Sequence, residues 1–181
     1  MKTRKAAIVV ALALVVLSLG FGQASPAPIV PGTGSPVIDG AMAKGEYGWM
    51  QSVGKFWLGV TLSKDGKTLT IGLAAQTKGW ISVGLGSTKM NGAYMLIAYD
   101  NGKQNFSEQI GKGHGHSAAP GTKVTASAVK TVNGMTYLEF SIPAEEYVKG
   151  GKLDLILGAS NTADFVSWHP LAQGIEIPVS K

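Results

Sequence analysis

From residue 55 to the C-terminal end, apolar side chains come in short alternating runs, separated by turn residues at intervals of about 8 to 12. Residues 55–62 read as a strand, and Asp65-Gly66 centre the turn that follows. Residues 68–76 form the next strand, with Leu69, Ile71 and Leu73 on one face. A turn at 77–79 leads into a strand at 80–86, then a polar loop holding Met90, then a strand at 93–99. Asn101-Gly102 signals a hairpin, and residues 104–110 pair back. Residues 111–121 read as a long flexible loop. Residues 122–130 alternate with Val124, Ala126 and Ala128 on one face. Asn133-Gly134 signals another hairpin, after which residues 135–142 set Met, Tyr, Glu and Phe against Thr, Leu and Ser. Pro143 opens a helical turn. Apolar strands at 152–160 and 174–179 close the chain. No segment sustains a helical period. The expectation is an all-β fold, an antiparallel β-sandwich of about ten strands with immunoglobulin-like layering.

Several glycines fall inside the strand runs: Gly59, Gly72, Gly84, Gly86 and Gly158. Each marks either tight sheet packing or a close approach to the backbone.

The first 24 residues follow a different rule. Met1 to Lys5 are basic, residues 6–19 are apolar, and Gly22-Gln23-Ala24 is a small-x-small cleavage site, the layout of a signal peptide. The apolar run is shorter than the ~20 residues of a spanning helix. Cleavage after Ala24 and a secreted or periplasmic protein are therefore expected; a membrane tether follows only if the segment is retained. Residues 25–35, rich in Pro, Gly and Ser, read as an exposed spacer, and 36–181 as one domain.

The formal charge of +5 falls to about +2 once Lys2, Arg4 and Lys5 leave. Arg4 is the only arginine, so the mature chain lacks the guanidinium that binds phosphate or guanine bidentately. Its lysines are scattered, and nucleic acid is not an expected partner. With no cysteine there is no disulfide, thiolate metal site or lipoprotein anchor.

No catalytic constellation emerges. Nucleophile-elbow, P-loop and dinucleotide patterns are missing, and Glu145-Glu146 read as a solvated turn. An electron-transfer or binding domain is expected rather than an enzyme. Three histidines remain. His114 and His116 share a side if their segment is extended; they either hold copper or zinc or decorate a surface loop. His169 stands stiffly between Trp168 and Pro170, as a structural residue or a ligand. Met90 is either an adaptable filler at a core edge or a donor. Taken together, a Met thioether and a His imidazole form an axial pair for haem iron.

The run Gly79-Trp80 through Gly84-Leu85-Gly86, then Met90-Asn91-Gly92-Ala93 and an apolar strand, resembles the central motif of DOMON domains. Ile38-Asp39-Gly40 with Gly45-Glu46-Tyr47, and Ser107-Glu108-Gln109 before the His-containing loop, resemble secreted bacterial members. The resemblance extends over residues 36–179. It implies a sandwich of about ten strands. In the haem-binding branch, similar to the cytochrome domain of cellobiose dehydrogenase, it further implies non-covalent haem b with Met90 and His169 as axial ligands. The absence of a Cys-x-x-Cys-His motif agrees with non-covalent attachment. The implied role is single-electron transfer, with another redox protein or a quinone-like molecule as partner. Trp80, Tyr94 and Trp168 are the implied cofactor-lining residues, with Met95 and Phe165 beside them. Two departures stand out. Tyr94 occupies a position where the family often has Asp, and no arginine is left for the propionates, which fall to Lys89, Lys112 or water. The same superfamily offers an alternative, a carbohydrate-binding module without haem, in which Trp49, Trp57, Tyr94 and Trp168 stack on sugars. A third reading is a copper protein using His114, His116 and a methionine.

Overall fold

The computed structural model describes residues 26–180. The expected signal peptide at 1–24 lies outside the described residues.

Twelve strands are formed among the described residues: β1 Trp49–Val53, β2 Phe56–Leu62, β3 Thr68–Gln76, β4 Ile81–Leu85, β5 Tyr94–Asp100, β6 Gln104–Lys112, β7 Gly115–Ala118, β8 Ala126–Val132, β9 Met135–Pro143, β10 Val148–Lys149, β11 Lys152–Ala159 and β12 Leu171–Pro178. One antiparallel sheet has the order β1-β2-β3-β9-β8. The other runs β10-β11-β4-β5-β6-β7, with β12 paired along β11. The two sheets make the expected β-sandwich.

Alternation decides what lies between them. Leu58, Val60, Leu69, Ile71, Leu73, Leu138 and Phe140 point inward from the first sheet, and Ile81, Val83, Leu85, Leu96, Leu155 and Leu157 from the second. The Asn133-Gly134 hairpin forms as expected. Val132 pairs with Met135, and both corner residues have positive φ, 53° and 79°, as a type I′ turn requires.

The strand count exceeds the expectation because β1, β7 and β10 are short and carry little apolar pattern. The expected flexible loop at 111–121 is in fact a β6–β7 hairpin in its first half, with Lys112 paired to Gly115 and Gly113 at φ 60°. The helical turn at Pro143 is a single hydrogen-bonded turn, with Tyr147 and Val148 N–H both on Ala144 O. In β8 the inward residue is Val129, paired with Leu138, so the apolar face read from Ala126 and Ala128 points outward. In β9, Phe140 lies inward with Thr136 and Leu138, opposite in sense to Tyr137 and Glu139. A one-residue shift of parity exchanges every side chain between faces.

The expected spacer is docked rather than free over its described part. Ile29 is buried and pairs with Val179, Gly32 N–H bonds Leu62 O, and Trp49 Nε1 donates to Ala27 O at 2.6 Å. Its isoleucine gives it an anchor that the Pro and Gly content hides.

The outer face of the five-stranded sheet carries a buried carboxylate. Glu139 has no exposed surface. Its Oε2 accepts from the N–H groups of Asp39, Gly40 and Ala41 at 3.0, 2.8 and 3.1 Å, and its Oε1 from Tyr47 OH at 2.5 Å. Tyr47 reaches it by lying over Gly59 and Gly72, where any Cβ would come within 2.6 Å of the Tyr47 ring or hydroxyl. The Ile38-Asp-Gly and Glu-Tyr motifs are thus explained as a cap on Glu139.

Candidate functional site

The outer face of the seven-stranded sheet builds the cleft. Outward positions of β11, β4, β5 and β12 form its floor. Gly158 pairs with Ser82 and Ala172, Ser82 with Ile97, and Gly84 with Ile156 and Met95. Small residues on β4, β11 and β12 make this floor shallow, and Met95, Ile97 and Ile156 make it apolar. Trp80, Met90, His116 and His169 complete the lining. The lining has no Asp, Glu, Lys or Arg. The cavity volume of the cleft is about 30 Å³. This is a narrow slot suited to a thin apolar group.

Met90 reaches the slot through the loop between β4 and β5. The loop is tied down by Gly92 N–H on Gly111 O at 2.9 Å and by Gly113 N–H on Asn91 Oδ1 at 2.8 Å. It lies on two glycines. A Cβ at Gly111 would sit 1.7 Å from Met90 O, and one at Gly174 would sit 2.3 Å from Thr88 O.

His169 comes from the segment between β11 and β12, and the Gly79-Trp80 pair holds that segment. Trp80 N–H bonds Thr162 O at 3.1 Å and Ser160 N–H bonds Trp80 O at 2.9 Å. Trp80 Nε1 donates to Ser167 O at 3.2 Å, and its ring meets His169 edge-on at 5.9 Å between centroids. Phe165 packs on Tyr99 at 4.9 Å. Asp164 accepts from Ser167 Oγ and from the N–H groups of Ser167 and Val166, which together hold its carboxyl below the usual carboxylate range. His169 Nδ1 is buried with no partner among the described residues. A buried nitrogen without a partner carries a desolvation cost, and a ligand would relieve it.

The structure therefore brings Met90, His169 and Trp80 into one slot. Trp168 stacks on His169 at 6.0 Å but is itself 77 % exposed, on the rim. Tyr94 is placed elsewhere. It is inward on β5, one residue out of phase with Met95, and joins the sandwich core. Its hydroxyl donates to Glu108, which also accepts from Lys123 and Val124 N–H at 2.8 and 3.1 Å. Burial first, then the Glu108 bond, push the Tyr94 phenol well above its ordinary pKa. Alternation from the outward Met95 forbids Tyr94 from lining the cleft. His114 sits in the hairpin turn, whereas His116 lines the cleft. The described residues contain no cluster of three or more His, Asp or Glu placed to hold a metal. Of the proposed sugar platforms, Trp49 and Tyr94 are buried and have no free face. Sequence reasoning missed His116 as a member of the Met90 cleft; its offset of five from Gly111 across a two-residue turn was the available signal.

Trp80→Phe tests how the His169 segment is held. It removes one hydrogen bond worth ~1 kcal/mol. Any ligand that needs His169 should bind about fivefold more weakly, as read by equilibrium titration.

Comparison with solved structures supports the same architecture. The chain superposes on the cytochrome domain of Myriococcum thermophilum cellobiose dehydrogenase with a TM-score of 0.57 at 15% identity, covering 73% of this chain and 81% of that one. It superposes on the cytochrome b domain of Coprinopsis cinerea pyranose dehydrogenase with a TM-score of 0.56 at 13% identity, covering 68% and 76%. No curated protein matches the sequence. The DOMON domain model matches residues 52–154, a segment that includes Met90 and His116 and ends before His169; on this match the chain belongs to the DOMON domain family.

Proposed function

We propose that this protein is an exported b-type haem domain that transfers single electrons, with Met90 and His169 as its axial ligands. The observation that carries the reading is their convergence. Two residues 79 positions apart, one a thioether and one an imidazole with a buried unpartnered nitrogen, line the same narrow apolar slot. The residues fit the group. Met90 and His169 supply a soft and a borderline donor, and Trp80, Met95, Ile97 and Ile156 surround them with an uncharged, apolar lining. Haem b, when bound, supplies a one-electron couple whose potential a Met ligand raises. Lys89 and Lys112, both exposed and next in sequence to Met90 and Gly111, are the cations nearest in the chain for the haem carboxylates. The partner in this reading is a second redox protein or a quinone-like molecule, and the solved relatives named as cytochrome domains of dehydrogenases support a redox role.

Hemin titration of the mature protein tests this. A low-spin six-coordinate spectrum with narrow α and β bands on reduction is expected. His169→Ala should yield a five-coordinate spectrum and at least about tenfold weaker hemin retention. A wild-type protein that stays colourless with added hemin ends the proposal.

A second reading rests on one observation. Trp57 is 53 % exposed and borders an open cleft of about 560 Å³ with Lys55, Gln76, Asn161 and Met135. An exposed indole beside amide groups is sugar-binding chemistry. Trp fluorescence that no oligosaccharide perturbs would remove this reading.

A further inference from the structure

His116 is the cleft residue that the axial pair leaves unused, and it stands on the Met90 side. Antiparallel pairing sets it opposite Gly111. The carbonyl and Cγ of Met90 lie over Gly111, the latter 3.2 Å from where a Cβ would be. Directly paired residues project to one face of a sheet, so the imidazole flanks the thioether.

Its ring is held in one tautomer. His116 Nδ1 pairs with Gln109 Oε1. Gln109 is buried, and its Nε2 donates to Ser107 Oγ at 2.9 Å, which turns the amide oxygen toward the imidazole. An amide oxygen only accepts, so Nδ1 carries the proton and Nε2 carries the lone pair. Metal-bound histidines are prepared in the same way, by a hydrogen bond from the nitrogen that does not bind. His116 is exposed on β7, so its bond to Gln109 orients the ring at the rim of the cleft.

We infer that His116 is an alternative iron ligand, exchanging with Met90 as the iron changes oxidation state; the inference rests on the haem reading above. A thioether is soft and favours ferrous iron, whereas imidazole favours the ferric form. On oxidation one electron would leave to the redox partner, Met90 Sδ would release the iron, and His116 Nε2 would take its place. His169 stays bound in both states, and no proton or other atom is gained or lost. The domain then has two potentials, the imidazole form lying lower, and the rate of exchange gates its return.

The test uses hemin-loaded wild type, Met90→Leu, His116→Leu and the double variant, with spectra of both oxidation states and a redox titration. Met90→Leu should remain low-spin and six-coordinate in the ferric state, with its potential shifted negative. The double variant should become high-spin and lose ferric hemin about tenfold faster. His116→Leu should show a stronger Met-to-ferric-iron charge-transfer band than wild type. A high-spin ferric Met90→Leu, or one that matches the double variant, overturns the inference. If Met90→Leu fails to fold, the comparison of His116→Leu with wild type decides, and an unchanged charge-transfer band overturns it. A wild type that takes up no hemin overturns the haem reading itself, an outcome distinct from hemin bound without exchange.

Discussion

Gly111→Ala is expected to unseat the Met90 loop. The new Cβ would fall 1.7 Å from the Met90 carbonyl oxygen, and the obstacle is backbone rather than a side chain that can swing away. The loop cannot move freely either, because Gly111 itself bonds Ala93 O and accepts from Gly92 N–H at 2.9 Å each. Overpacking of this kind costs about 1–3 kcal/mol. The larger effect should be on ligand binding, since Met90 is displaced from the slot while His169 is untouched. The reduced spectrum should lose its Met-ligated signature and ferrous hemin should be held at least about tenfold more weakly, while His116 keeps ferric hemin bound. An unaltered ferrous spectrum would show that the loop does not position Met90.

Glu139→Ala should be the most destabilising single substitution on the other sheet. It leaves the buried Gly40 N–H, the partly buried Asp39 and Ala41 N–H groups and the Tyr47 hydroxyl without their acceptor. Leaving a buried donor unsatisfied costs about 1–3 kcal/mol, which thermal or urea unfolding would register. Hemin affinity should change little, because the cap lies on the opposite face of the sandwich. Glu139 also predicts a pH dependence. Burial raises its pKa above the ordinary 4.5, against the opposing pull of its hydrogen bonds, Tyr47 first. The native state therefore holds the proton more tightly than the unfolded chain. Its contribution is fully present below the unfolded pKa and is lost as pH rises through the folded one. Glu139→Gln should flatten that part of the stability profile. A wild-type profile that rises with pH across this window, and is unchanged in Glu139→Gln, would contradict the assignment.

Much of the fold was legible because its signals are local. The alternation of Leu69, Ile71 and Leu73 places them in the core, and Asn133-Gly134 names its own turn type. Parity was harder. In β8 alanines alternate with small polar residues, so only the pairing of Val129 with Leu138 reveals which face is buried. Tyr94 shows the same difficulty at the site, since an amphipathic ring can serve either face, and Met95 on its outward neighbour decides. The docked segment at 26–35 was hidden by its composition, because a single isoleucine supplies the anchor.

By itself the sequence determined a β-sandwich, the Gly-Trp and Met-x-Gly-Ala motifs, and Met90 and His169 as a candidate pair. The sandwich follows from alternation and turn residues, whereas the motifs and the positions of the pair rest on the resemblance to DOMON domains. Only the tertiary structure decided that the two share a narrow slot, that Gly111 and Gly174 seat the Met90 loop, and that His116, bonded to Gln109, lines the same slot. Each of these depends on register between strands distant in sequence, and register is a property of the paired sheet rather than of any strand alone.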